Sequence, residues 1–149
     1  MTVRPVVNHL GHCVADLERA SRFYVEVLGF EPWFDISPPD EPSDRLLGMK
    51  APLGMQCCYL RLGEFVLELL CFNAAGTVDA PPRVMNNIGL THLSFAVDDL
   101  RATCERVASY GGTVLTDTDI GAAVFIRDPD GQLIELLPFG YRDNLPPVR

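Results

Sequence analysis

Apolar and polar positions alternate from Val6 to Val14, which predicts a strand with His9, Gly11 and Cys13 on one face and Leu10, His12 and Val14 on the other. The period then lengthens to that of a helix. Leu17, Ala20, Phe23, Tyr24, Val27 and Leu28 fall on one stripe, opened by Asp16 as N-cap and stopped by Gly29. Phe30 to Phe34 predicts a second strand. The run Ser37-Pro-Pro-Asp-Glu-Pro-Ser43 breaks all periodicity and predicts an exposed loop, after which Asp44 caps a short helical turn through Leu46, Leu47 and Met49. Gln56 to Leu62 and Phe65 to Phe72 then predict two strands around a Gly63-Glu64 turn.

The same pattern restarts after a Gly-, Pro- and Asn-rich connection, Asn73 to Gly89. Thr91 to Val97 predicts a strand facing His92, Ser94 and Ala96 one way. Asp99 caps a helix striped by Leu100, Cys104 and Val107 and ended by Gly111-Gly112. Thr113 to Leu115, Ala122 to Asp128 and Leu133 to Leu137 predict three more strands, the last two joined by the Asp128-Pro-Asp-Gly131 turn. His9, Asp16, Leu17 and Gly29 thus recur with identical spacing as His92, Asp99, Leu100 and Gly112, and each half closes with a carboxylate in an apolar strand, Glu68 and Glu135. The expected organisation is α+β: a βαβββ module over 1–73, a linker over 74–88, a second module over 89–140 and a C-terminal tail over 141–149. One such module leaves a curved sheet with one face bare, so two set edge to edge are expected to form an eight-stranded cup. Strand parity puts His9, Glu68, His92 and Glu135 on the face opposite the helices. Two imidazoles and two carboxylates make a site for one divalent metal ion, and Ni, Co, Zn, Mn and Fe all suit that set.

Composition narrows the partners. A formal charge of -8 over 149 residues with no basic cluster argues against a nucleic-acid or anionic-membrane surface, and a small-molecule ligand fits better. Neither a secretory leader pattern nor an apolar run of membrane-crossing length is present, so the expected location is cytoplasmic. Cys13, Cys57, Cys58, Cys71 and Cys104 lack metal-site spacing and read as free, packed thiols. Tyr59 and Phe125 read as core, His12 as a packed histidine, and Arg45 as solvated.

His9-Leu-Gly-His-Cys-Val-Ala-Asp-Leu17, Phe23-Tyr24, Val27-Leu-Gly-Phe30, Gly89-Leu-Thr-His92 and Asp128-Pro-Asp-Gly-Gln-Leu-Ile-Glu135 together resemble the vicinal oxygen chelate superfamily, from about Val6 to Pro138. That resemblance implies paired βαβββ modules around a divalent metal, with His9, Glu68, His92 and Glu135 at the ligand positions and a ligand set most similar to that of glyoxalase I. It implies a metal-dependent lyase or isomerase, acting through an enolate on a small substrate with adjacent oxygens. Glu68 or Glu135 would be the catalytic base. A homodimer is the expected assembly, with the cup closed within one chain or across two. Departures narrow the choice. Cys13 stands where glutathione-using glyoxalase I has arginine, and Ile120 to Val124 is apolar where it has a basic residue, which argues against glutathione. Phe125 replaces the tyrosine of ring-cleaving Fe(II) dioxygenases, and Lys50 to Met55 lacks the second acid of two-base epimerases. The alternatives are a metal-free small-molecule binding protein and an Fe(II) extradiol-type dioxygenase.

Overall fold

The computed structural model of the chain describes residues 4–81 and 84–146. The last three residues of the expected C-terminal tail, and positions 82 and 83 of the expected linker, lie outside the described residues. Strand β1 (Leu10–Cys13) is followed by helix α1 (Leu17–Leu28), strand β2 (Glu31–Ile36), helix α2 (Asp40–Leu47) and strands β3 (Met55–Leu62) and β4 (Phe65–Phe72). The second half runs β5 (Leu93–Val97), α3 (Leu100–Val107), β6 (Thr113–Leu115), β7 (Val124–Arg127) and β8 (Leu133–Pro138), and a short helix α4 (Phe139–Asp143) follows. Among the described residues these strands make two four-stranded sheets of the same topology, β1-β4-β3-β2 and β5-β8-β7-β6. In each, the first strand pairs parallel with the last and the other pairings are antiparallel. The architecture is the α+β arrangement of two βαβββ modules that the repeat implied.

Both helices start as their sequences dictate. Asp16 Oδ1 accepts from the Arg19 amide at 2.9 Å and Asp99 Oδ1 from the Ala102 amide at 2.9 Å, each satisfying one of the donors left open in a first helical turn. The positions on the helix-facing side of the strands are the core: Leu60, Leu67, Leu69, Ile126, Ile134 and Leu136 are fully buried. A second cluster, Leu53, Met55, Cys57 and Phe72 with Met49, Tyr59 and Leu70 against it, fills part of the first half.

The strands expected from Val6 and Thr91 begin only at Leu10 and Leu93, so His9 and His92 stand just before β1 and β5. Two further elements differ from expectation. The proline-rich run is not a loop as far as Ser43: α2 spans Asp40–Leu47, kinked at Glu41, and continues as regular helix from Pro42. Pro39 sits at the N-cap and Pro42 in the first turn, where a missing N–H costs nothing because no helical acceptor exists for it. Glu41 has non-helical angles, and Asp40 Oδ1 accepts from the Leu53 amide at 3.0 Å, tying the turn to the start of β3. The segment is nonetheless solvated, with no buried residue in α2. Helix α3 stops at Val107 and tightens into a 3-10 turn, Ala108–Tyr110, before Gly111 ends it at φ 85.

By contact the chain forms two compact units, one running to Ser21 and then Phe30–Val78, the other comprising Arg22–Gly29 and the chain from Asp79 onward. The C-terminal half of α1 therefore belongs with the second unit. There the buried Tyr24 hydroxyl donates to Asp128 Oδ2 at 2.9 Å, and Asp128 Oδ1 accepts from the Asp130 and Gln132 amides of its own turn. Burial first, and Asp128 next, hold the Tyr24 phenol protonated by raising its pKa well above the ordinary value. Among the described residues no helix is long and apolar enough to cross a membrane.

Candidate metal centre

Parallel pairing of β1 with β4 and antiparallel pairing of β2, β3 and β4 line up one cross-strand row in the first half: Gly11 opposite Glu68, Glu68 opposite Tyr59, Tyr59 opposite Phe34. His9 stands two residues before Gly11, just outside β1. The row delivers Glu68 Oε2 to within 3.0 Å of His9 Nε2, while the Tyr59 hydroxyl donates to Glu68 Oε1 at 2.5 Å. His9 Nδ1 lies 2.6 Å from Asn8 Oδ1. An amide oxygen only accepts, so Nδ1 donates to it, while Nε2 stands within ion-pair distance of the carboxylate.

The second half repeats the arrangement in register. Ser94 stands opposite Glu135, Glu135 opposite Phe125, and Phe125 opposite Leu115. His92 Nε2 is 3.7 Å from Glu135 Oε2, and its Nδ1 is 2.9 Å from the hydroxyl of the preceding Thr91. Here the carboxylate is held by Ser94, whose hydroxyl donates to Oε2 at 2.7 Å. Each imidazole meets an aromatic ring edge-on: His9 meets Tyr59 with centroids 5.8 Å apart, and His92 meets Phe125 at 5.2 Å. Tyr59 and Phe125, read from sequence as core, are half-buried and flank the two pairs.

The structure thus brings together His9 with Glu68 and His92 with Glu135. Each pair offers one imidazole nitrogen and one carboxylate, a donor set that suits first-row divalent ions, and each histidine has its far nitrogen fixed by a neighbour, as metal-ligating histidines do. Among the described residues no group of three or more His, Cys, Asp or Glu side chains is gathered to hold a metal ion. Each half supplies two donors of the expected four.

Other candidates fall away from this face or stay inert on it. His12 is half-buried opposite Leu69, on the face away from Glu68. Cys57 does lie on the Glu68 face, but burial, and then the Glu68 charge, push its thiol up to about 12, so it is a packed thiol and no nucleophile. Cys58 points to the other face, where its thiol lies 3.8 Å from the Ser21 hydroxyl, and burial raises it to about 11. Arg45 is exposed and lies 3.8 Å from Glu41. Sequence reading missed Asn8, Thr91, Tyr59 and Ser94 as partners of the four. The signal for the first two was available, since a polar side chain precedes both repeated histidines.

Over residues 6–136 the sequence matches the Glyoxalase/Bleomycin resistance protein/Dioxygenase superfamily. The chain belongs to this superfamily. It is similar to a lactoylglutathione lyase of Haemophilus influenzae, 32% identical over 130 residues that cover 83% of this chain and 85% of that one. It is also similar to a probable chloroplastic lactoylglutathione lyase of Arabidopsis thaliana, 30% identical over 137 residues. That match covers 89% of this chain but 35% of the plant protein, so the chain spans about a third of that relative's length. In fold it resembles a glyoxalase family protein of Bacillus cereus, with a TM-score of 0.77 at 20% identity, covering 93% of this chain and 97% of the other.

Proposed function

We propose that the protein is a metal-dependent lyase or isomerase of the glyoxalase type, acting on a small substrate with two adjacent oxygens. The observation that carries the proposal is the pair of matched His/Glu couples, His9–Glu68 and His92–Glu135, each with its imidazole Nε2 facing a carboxylate oxygen. In this reading the two couples join, within one chain or across a homodimer, as the four ligands of one divalent ion. That ion supplies Lewis acidity toward the two substrate oxygens.

The chain's own residues divide the remaining work. Asn8 and Thr91 orient the imidazoles, and Tyr59 and Ser94 hold the carboxylates. Glu135 is the better general base, because its side chain is 25% exposed against 11% for Glu68, which is also held by both Tyr59 and His9. Glu135 takes the proton from the carbon beside the substrate carbonyl and returns it to the neighbouring carbon, so the net change is a shift of hydrogen with no redox partner. The lactoylglutathione lyase names of two relatives support this reaction type.

The test is metal uptake. Protein purified without chelator and offered Ni, Co, Zn, Mn and Fe in turn takes up one of them in a fixed ratio to the chain, and Glu135→Gln lowers that uptake. No stoichiometric uptake of any of the five overturns the enzyme reading and leaves a metal-free binding protein.

A further inference from the structure

We infer that the substrate carries an aromatic or similarly flat apolar group beside its oxygen pair, bound on an aromatic shelf that leads outward from His9 and Glu68. The inference deepens the proposed function and rests on it. The shelf is made by strand β2, the outer strand of the first sheet, in which every residue is exposed. Phe34 stacks on Tyr59 with centroids 4.4 Å apart and planes 14° from parallel, and Tyr59 is the residue that donates to Glu68. Trp33 meets Phe34 edge-on at 4.8 Å.

Consecutive residues of a regular strand point to opposite faces, so Trp33 and Phe34 would ordinarily be separated by the sheet. A register shift between Pro32 and Phe34 lifts that constraint. Trp33 packs instead beneath Arg61, whose guanidinium carbon is 5.2 Å from the ring centroid; Arg61 lies two residues beyond Tyr59, on the Tyr59 face of β3. An unbroken series of rings therefore runs from His9 through Tyr59 and Phe34 to Trp33. Trp33 remains 51% exposed and Phe34 41%, a cost in hydration that a bound flat group would remove. The second half has no counterpart, for at the position of Phe34 it carries Leu115. The chemistry of the shelf sets the ligand class: rings recognise a π-face, and Arg61, the cation over the shelf's tryptophan, lies 4.0 Å from Glu31.

Trp33 is the sole tryptophan of the chain, so its fluorescence reports occupancy of the shelf directly. The probes are benzohydroxamate and acetohydroxamate, which share one pair of neighbouring oxygens and differ in the phenyl ring. They are titrated into full-length protein loaded with Zn(II), which does not quench tryptophan. The expected result is that benzohydroxamate binds about tenfold more tightly and changes Trp33 emission, whereas acetohydroxamate binds without that change. Phe34→Ala, with an unaltered far-UV spectrum, is expected to abolish the preference and keep acetohydroxamate binding. Leu115→Ala is expected to leave the preference intact. Equal binding of the two probes with silent Trp33 overturns the aromatic substrate class alone. Binding of neither overturns the metal-site reading and this inference with it. Emission that follows protein concentration and ignores both probes shows the shelf covered by a second copy and overturns the inference.

Discussion

In the first half, the hydroxyl that reaches the strand carboxylate comes from the antiparallel neighbour, as Tyr59 on β3; in the second it comes from the parallel neighbour, as Ser94 on β5. The positions are equivalent in both sheets. Where one half has tyrosine the other has Phe125, and where one has Ser94 the other has Gly11. Each carboxylate receives one hydroxyl, but from opposite sides, so the requirement for a donor is the shared feature and the residue that meets it is free to move. The tyrosine solution also builds an aromatic wall, and the serine solution leaves its carboxylate more open. In the proposed function, the first half holds and the second acts.

Ligand removal tests that division most severely. Glu135→Gln is expected to abolish turnover and to weaken metal binding more than about a hundredfold, above the usual effect of losing an outer partner, as read by calorimetric titration. Glu68→Gln is expected to weaken metal binding comparably. If turnover survives in Glu135→Gln and is lost in Glu68→Gln, the two roles are reversed.

The glycines at the matching repeat positions after the two helices, Gly29 and Gly112, offer a contrast in stability. Gly29 adopts φ 73 with open space around it, whereas a Cβ on Gly112 would lie 2.6 Å from both the Arg127 carbonyl oxygen and a ring carbon of Phe23. Gly112→Ala is therefore expected to cost about 2–3 kcal/mol through overpacking, and Gly29→Ala about 1 kcal/mol through its left-handed backbone, both by denaturant unfolding. Equal costs would remove the distinction.

A gentler exchange sharpens the comparison of hydroxyls. Tyr59→Phe makes the first half resemble the second without its serine, and is expected to weaken metal binding about tenfold. A Cβ on Gly11 would lie 3.5 Å from Glu68 Oε2, so adding Gly11→Ser supplies the missing donor and is expected to recover most of that loss. His12→Ala, on the opposite face of β1, is expected to leave metal affinity within about twofold.

The strands and their faces were legible because alternation and the repeat spacing fix parity, and parity alone predicts that His9 and Glu68 share a face. Register was not legible. The Tyr59–Glu68 bond depends on which residue of β3 lies opposite Glu68, and a slip of one position would turn Cys58 to it. The bulge that brings Trp33 beside Phe34 left no mark in the pattern, since one extra residue in a short exposed strand breaks no long period. The helical turns before Asp44 were hidden by their prolines, which forbid helix in an interior and permit it in a first turn.

The allegiance of α1 has a consequence for any attempt to cut the molecule at its duplication boundary. Tyr24 and Phe23 are encoded in the first copy, yet their partners, Asp128 and Gly112, are encoded in the second. A fragment ending near residue 73 would carry a tyrosine with no carboxylate to bury it against, and the complementary fragment a buried aspartate stripped of its phenol. Part of the first copy's helix is thus built into the second compact unit, so the boundary between the units is not the boundary between the repeats.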